Sequence, residues 1–161
     1  LPDRQLPAAE ALVAAACEAA CAGRASLDEL ARLDWLDLFR GLLLHPQSML
    51  LEREAPSHFV LPTGHRVPIV YSPDRPPAAA ARLQELFGLL RTPRLAEGRV
   101  PLVLEILSPS QRPVQITDDL ASFWRSGYPA VRKELRGRYP KHAWPDDPLT
   151  ATPTARIRRP R

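Results

Sequence analysis

The sequence predicts an α+β fold: an N-terminal helical part, then antiparallel hairpins packed by helices. Three observations carry this. Apolar residues recur at helical spacing up to about residue 54. The period then drops to two around a Pro-Thr-Gly-His turn at residues 62–65. Helical spacing returns at residues 117–136, after a second strand pair. With 161 residues and 45% apolar content, the chain suits one domain with its own core.

Taken in order, residues 1–6 read as a cut end, because the chain opens with Leu rather than Met. Pro7 opens an Ala-rich helix that Gly23 stops. Ser26 and Glu29 form a capping box for a short second helix. Asp34 caps a third, on which Trp35, Leu36, Leu38, Phe39, Leu42 and Leu43 cover so wide a surface that burial on several sides is expected. His45-Pro46 ends that helix, and residues 47–54 add a turn or two. Residues 58–61 and 66–71 form a hairpin, with Val67, Ile69 and Tyr71 on one face. Pro68 cannot donate to a ladder, so its nitrogen should face an edge. Residues 78–82, AAAAR, are compatible with helix or strand. Leu83, Leu86, Phe87 and Leu90 define a helix over residues 83–90. Residues 100–107 form the strongest strand, and residues 114–116 return beside it.

Residues 117–149 hold two of the three Trp, two of the three Tyr and both Lys. Thr117 caps a helix carrying Asp118 and Asp119 in its first turn. Leu120, Phe123 and Trp124 share its inner face. Ser126-Gly127 breaks it, and Pro129 starts another. That helix turns Val131 and Leu135 inward and Arg132, Lys133 and Arg136 outward, and Gly137 stops it. Residues 138–148 are too Pro-rich for helix or central strand. Residues 150–161 read as a basic, mobile tail.

The stretch FWRSGYPAVRKELRGRYPKHAWPDDP resembles the C-terminal signature of the HrpB-type bacterial helicases, a branch of the DEAH-box ATP-dependent helicases. LARLDWLDLFRGLL, HFVLPTGHRVPIVYSPD, RLQELFGL and VPLVLEILSPSQRPVQITDDLASFW are similar to the C-terminal region of that family. The resemblance implies an accessory domain spanning residues 7–149, with a helical part at 7–54 and an α+β part at 55–149. It implies a parent protein whose paired RecA-like domains bind ATP and Mg and act on nucleic acid, above all RNA. The helicase core of the same polypeptide is then a partner; the expected cytoplasmic setting comes instead from the two cysteines, read below as small side chains and not as a disulfide.

The residues themselves exclude much chemistry. There is no G-x-x-x-x-G-K-[ST] loop and no DEAH sequence, so ATP hydrolysis is not carried by this stretch. No apolar run approaches the roughly 18 residues that span a bilayer. No basic segment followed by an apolar core marks a signal peptide. Cys17 and Cys21 lie four apart with no third ligand nearby, and small buried side chains are the expected reading. His142 near Asp146 and Asp147 reads as a surface turn, and Asp118-Asp119 as helix-start carboxylates. Ser48, Ser57 and His58 lack a triad partner, which leaves an independent hydrolase unsupported.

The positive signal is charge beside aromatics. Residues 1–123 carry 12 basic and 15 acidic groups, net −3. Residues 124–161 carry 10 basic and 3 acidic, net +7. Such asymmetry points to an anionic partner. The candidate phosphate contacts are Arg125, Arg132, Lys133, Arg136, Arg138 and Lys141. The candidate stacking rings are Tyr139, His142 and Trp144. Three other readings stand beside single-stranded RNA: the basic face docks on the helicase core, it is a plain solvated face, or the domain is a protein interaction module that touches no nucleic acid. Trp144 and Tyr139 then only pin the Pro-rich segment to the domain.

Overall fold

The computed structural model describes residues 5–155. Two compact units divide between Ala55 and Pro56. The first holds α1 (Ala9–Cys21), α2 (Leu27–Ala31), α3 (Trp35–Gly41) and α4 (His45–Glu54). Gly23, at φ 72°, reverses the chain after α1. The Ser26 hydroxyl accepts from the Glu29 N–H at 3.3 Å, and Glu29 Oε2 accepts in return from the Ala25 N–H at 3.0 Å. Asp34 Oδ1 accepts from the Asp37 N–H at 3.1 Å and caps α3. Pro46 lies in the first turn of α4 and so opens that helix, where the sequence suggests a stop.

Burial in this unit differs from expectation. Among its described residues only Ala16 and Ala20 are buried, and no residue of α3 is, with Leu36 58% exposed. Small side chains on α1 let α1 and α3 approach closely, but the three other helices are too few and short to enclose α3 on several sides. Cys17 and Cys21 are free and exposed, not buried as the sequence suggests, because each lies one residue beyond the Ala16–Ala20 stripe.

The second unit is built on a five-stranded sheet of order β1-β2-β3-β6-β7. Its strands are β1 (His58–Val60), β2 (Arg66–Ser72), β3 (Arg75–Arg82), β6 (Val103–Leu107) and β7 (Pro113–Thr117). A two-stranded ribbon, β4 (Arg94–Leu95) and β5 (Val100–Pro101), lies in the crossover between β3 and β6. All pairs are antiparallel except β3–β6, which is parallel. This parallel pair is absent from a reading by hairpins alone. It arises because the AAAAR segment is strand: β2 and β6 supply ladder partners on both of its sides. Ala79 pairs with Ile69 on one side and Leu104 on the other, so three apolar side chains line one row of the buried face.

β2 is an interior strand, yet its proline is tolerated. The β2–β3 ladder begins at Ile69–Ala79, one residue beyond Pro68, while the Ile69 N–H bonds the Ser57 carbonyl at 3.0 Å on the β1 side. Tyr71 is exposed, against the alternation, because the register shifts between Val70 and Ser72. Residues 83–90 do not form the expected helix. A 3₁₀ turn at Leu83–Glu85 is followed by turns that bury Leu83, Leu86 and Phe87 and leave Leu90 59% exposed. Gly88, at φ 80°, diverts the chain just beyond.

The other face of the core comes from α5 (Leu120–Ser122), a π-type turn (Phe123–Gly127) and α6 (Tyr128–Arg138). Asp119, not Thr117, caps α5, accepting from the Ser122 N–H at 3.0 Å; the Thr117 hydroxyl accepts from the Asp119 N–H. Ser126-Gly127 does not break the helix. The Tyr128 N–H reaches back five residues to the Phe123 carbonyl, a widened turn that accommodates Pro129, which has no N–H to give. A Cβ at Gly127 would lie 2.8 Å from Phe123 Cδ2. The Phe123 ring is 95% buried and its centroid lies 5.1 Å from that of Trp124, so it has little room to retreat. Gly127→Ala is therefore expected to destabilise the protein by about 1–3 kcal/mol, as overpacking does. Chemical denaturation checks this; an unchanged midpoint would contradict the packing described.

Candidate nucleic-acid interface

α6 buries Tyr128 and Leu135 and leaves Lys133 and Arg136 exposed. The Pro-rich residues 139–148 fold back along it. An open groove of about 950 Å³ lies between, lined by Pro129, Arg132, Lys133, Arg136, Gly137, Pro140, His142, Trp144 and Asp146. The segment is tied down at several points. The Tyr128 hydroxyl donates to the Pro145 carbonyl at 2.8 Å. Arg132 Nε donates to the Trp144 carbonyl at 2.9 Å, and its terminal nitrogen lies 2.6 Å from Asp146 Oδ1. Trp144 Nε1 donates to the Tyr139 carbonyl at 2.8 Å.

These ties divide the candidate residues. Lys133 and Arg136 line the groove, exposed, with no salt bridge among the described residues. Arg132 lines it too, but its guanidinium holds the Pro-rich segment. Asp146, 92% exposed at its side chain, adds a carboxylate to the facing wall. His142 and Trp144 are half-buried in the lining. Arg125, Arg138, Tyr139 and Lys141 lie outside it. Arg138 pairs with Glu134 at 3.5 Å, and the Tyr139 hydroxyl shares a 2.6 Å hydrogen bond with Ser110 Oγ. Trp144 also packs on the core, so its ring and that of Tyr139 fasten the segment. Of the ten basic groups beyond residue 123, Arg156, Arg158, Arg159 and Arg161 lie outside the described residues. Residues 150–155, expected to be mobile, are instead fastened: Thr150 bonds Asp147, and the Thr154 N–H bonds the Gln84 carbonyl at 2.9 Å.

Electrostatics follow the burial. His142 is held below its ordinary pKa, first by burial and then by the Arg82 guanidinium, so it adds no charge to the groove at neutral pH. The Tyr139 phenol is drawn below its ordinary value, chiefly by its bond with Ser110 and then by Ser108. Burial pushes Tyr128 up to about 12; the nearby Arg132 opposes this and Asp146 adds to it. Sequence reasoning missed Arg82 and Gln84. Gln84 sits between Leu83 and Leu86, where the expected helix would have turned it to solvent, yet it is 97% buried. No group of three His, Cys, Asp or Glu able to hold a metal ion occurs among the described residues, and no helix among them is long and apolar enough to cross a membrane.

A family model described as ATP-dependent helicase C-terminal matches residues 17–148. The chain belongs to this HrpB-type C-terminal family. It is 52% identical over 134 residues to the Escherichia coli K12 ATP-dependent RNA helicase HrpB, covering 83% of this chain but 17% of that protein. The crystal structure of the E. coli DExH-box NTPase HrpB matches 96% of this chain at TM-score 0.83 and 49% identity, over 20% of its own length. A second crystal structure, of the E. coli DEAH/RHA helicase HrpB, matches 86% at TM-score 0.64 and 48% identity, over 18% of its length. The chain thus spans about a fifth of these relatives.

The buried Tyr128 phenol has a pH signature. Its folded pKa lies above the unfolded value of about 10, so its contribution to stability is fully present below pH 10 and is lost as pH rises toward 12. Denaturation midpoints measured between pH 9 and 12 should fall more steeply for the wild type than for Tyr128→Phe. Equal slopes would contradict a neutral phenol held by the fold.

Proposed function

We propose that this domain supports a DEAH-box ATP-dependent RNA helicase by holding single-stranded RNA in the groove beside α6. In this reading ATP and Mg bind in RecA-like domains elsewhere in the polypeptide, the helicase core is this domain's partner in the same chain, and the protein works in the cytoplasm. The observation that carries the reading is the exposed pair Lys133 and Arg136, without salt bridges among the described residues, along one wall of an open groove whose other wall is fastened in place. Such an arrangement neutralises backbone phosphates with little sequence preference.

A second reading, docking on the helicase core, is favoured by a different surface. Val60, Val70 and Ile116 are 56%, 62% and 60% exposed on the sheet. Register places Val70 beside Ala78, and Ala78 beside Val103, on the face opposite the buried row. An apolar sheet face of this kind suits a protein partner.

Fluorescence anisotropy with labelled single-stranded RNA separates the two. Weak binding is expected, with a log–log salt slope of about −0.7 per phosphate contact, hence roughly −1.4 for Lys133 and Arg136 together. The double variant Lys133→Glu/Arg136→Glu should abolish binding while leaving stability within about 0.5 kcal/mol, because both side chains are exposed. A chain ending at residue 155 removes the four terminal arginines. If binding disappears with them and the double variant binds normally, the groove reading fails and docking replaces it.

A further inference from the structure

Behind the groove lies a second cavity, and His142 and Trp144 line both. Its far side is the segment of residues 148–155, strapped across the end of β3. The Gly88 N–H donates to the Pro148 carbonyl at 3.0 Å, the Thr154 N–H to the Gln84 carbonyl at 2.9 Å, and the Arg82 guanidinium to the Ala155 carbonyl at 3.1 Å. The cavity measures about 610 Å³, within the range of small-ligand pockets. Thr150, Thr152 and Thr154 place hydroxyl-bearing side chains around it. Gln84 also lines it, and its amide nitrogen Nε2 is shielded from solvent and has no hydrogen-bond partner among the described residues.

A buried amide donor without an acceptor destabilises a fold, and native proteins keep few of them. Here it is part of a cavity otherwise walled by two rings and three threonines. The requirement is for a ligand with a planar apolar body, small enough for the cavity, that carries a carbonyl-type acceptor. Uracil, cytosine and guanine have both properties, and the adjoining cationic groove suits the strand that bears them. We infer that the cavity seats one unstacked nucleobase of a strand lying in the groove, with Trp144 and His142 supplying ring contact and the Gln84 amide turning about its soft terminal torsion to present Nε2 to a base carbonyl. The inference rests on the groove reading proposed above. The depressed pKa of His142 agrees with it, since a neutral imidazole is the better ring contact in an enclosed site.

The experiment uses the 161-residue chain and two fluorescein-labelled probes: an eight-nucleotide oligouridylate, and a ribose–phosphate strand of equal length without bases. The wild type should bind the base-free strand on the order of fivefold or more weaker, as loss of one stacked base implies. Gln84→Leu should bring the oligouridylate down to the base-free level without changing base-free binding or its salt slope. It should also leave the melting temperature equal or higher, because an unpartnered buried amide is removed. Thr152→Leu obstructs the cavity from an exposed position on the opposite wall and should have the same effect, so the test holds even where Gln84→Leu folds poorly. Equal wild-type affinity for the two strands overturns the inference while leaving the groove reading standing. A full base preference retained by both variants overturns it equally. If neither strand binds, the groove reading fails and the inference falls with it.

Discussion

Four rings hold the second unit together. Trp124 lies 5.1 Å from Phe123, 5.5 Å from Tyr128 and 6.3 Å from Phe87, centroid to centroid, and Phe87 meets Tyr128 edge-on at 85°. Each tilted or edge-on pair contributes about 0.5–1.5 kcal/mol beyond burial. More important is what the polar ends of the rings do. Trp124 Nε1 donates to the Leu89 carbonyl and the Tyr128 hydroxyl to the Pro145 carbonyl, both at 2.8 Å. The cluster therefore reaches from the first part of the β3–β6 crossover to the Pro-rich segment, two stretches with little regular backbone bonding of their own. The Gly127 turn sets it up: the widened turn keeps Trp124 and Tyr128 on one continuous helical path, and only a residue without a Cβ leaves space for the Phe123 ring.

The groove is a consequence of that attachment. A Pro-rich segment on a basic helix would ordinarily sample many positions, and a groove between them would form only in part of the ensemble. Here Tyr128, Arg132 and Trp144 fasten the segment at three points, so the walls stand before any ligand arrives. Preorganisation of this kind lowers the entropic cost of binding. It also consumes cations. Arg132 is spent on Trp144 and Asp146 and Arg138 faces Glu134, so the groove itself carries fewer free charges than the net +7 of residues 124–161 suggests.

Much of this was legible in the residues. The capping box at Ser26 and Glu29, the hairpin around Gly64 and the inward Leu120, Phe123, Trp124 and Leu135 follow from local chemistry that tertiary contacts do not override. The motifs resembling the HrpB-type helicases led to the family that the comparisons show. What escaped was decided by long-range partners. AAAAR is strand because β2 and β6 flank it, and residues 83–90 abandon a helix because Leu83, Leu86 and Phe87 fill the same core from irregular backbone. Ser126-Gly127 has the composition of a break, yet a five-residue hydrogen bond carries the helix through. The cavity lined by Gln84 had no signal at all, since its far wall comes from residues 148–155, about seventy positions away.

The groove and the cavity both require residues 139–155 to be an integral part of the domain. Amide hydrogen exchange tests this most directly. The N–H groups of Gly88, His142 and Thr154, bonded to the carbonyls of Pro148, Tyr139 and Gln84, should exchange as slowly as those of the β3–β6 pair, through global opening alone. If these three amides exchange at nearly unprotected rates while the sheet stays protected, the segment is free of the ring cluster and the groove is not a preformed feature of the protein.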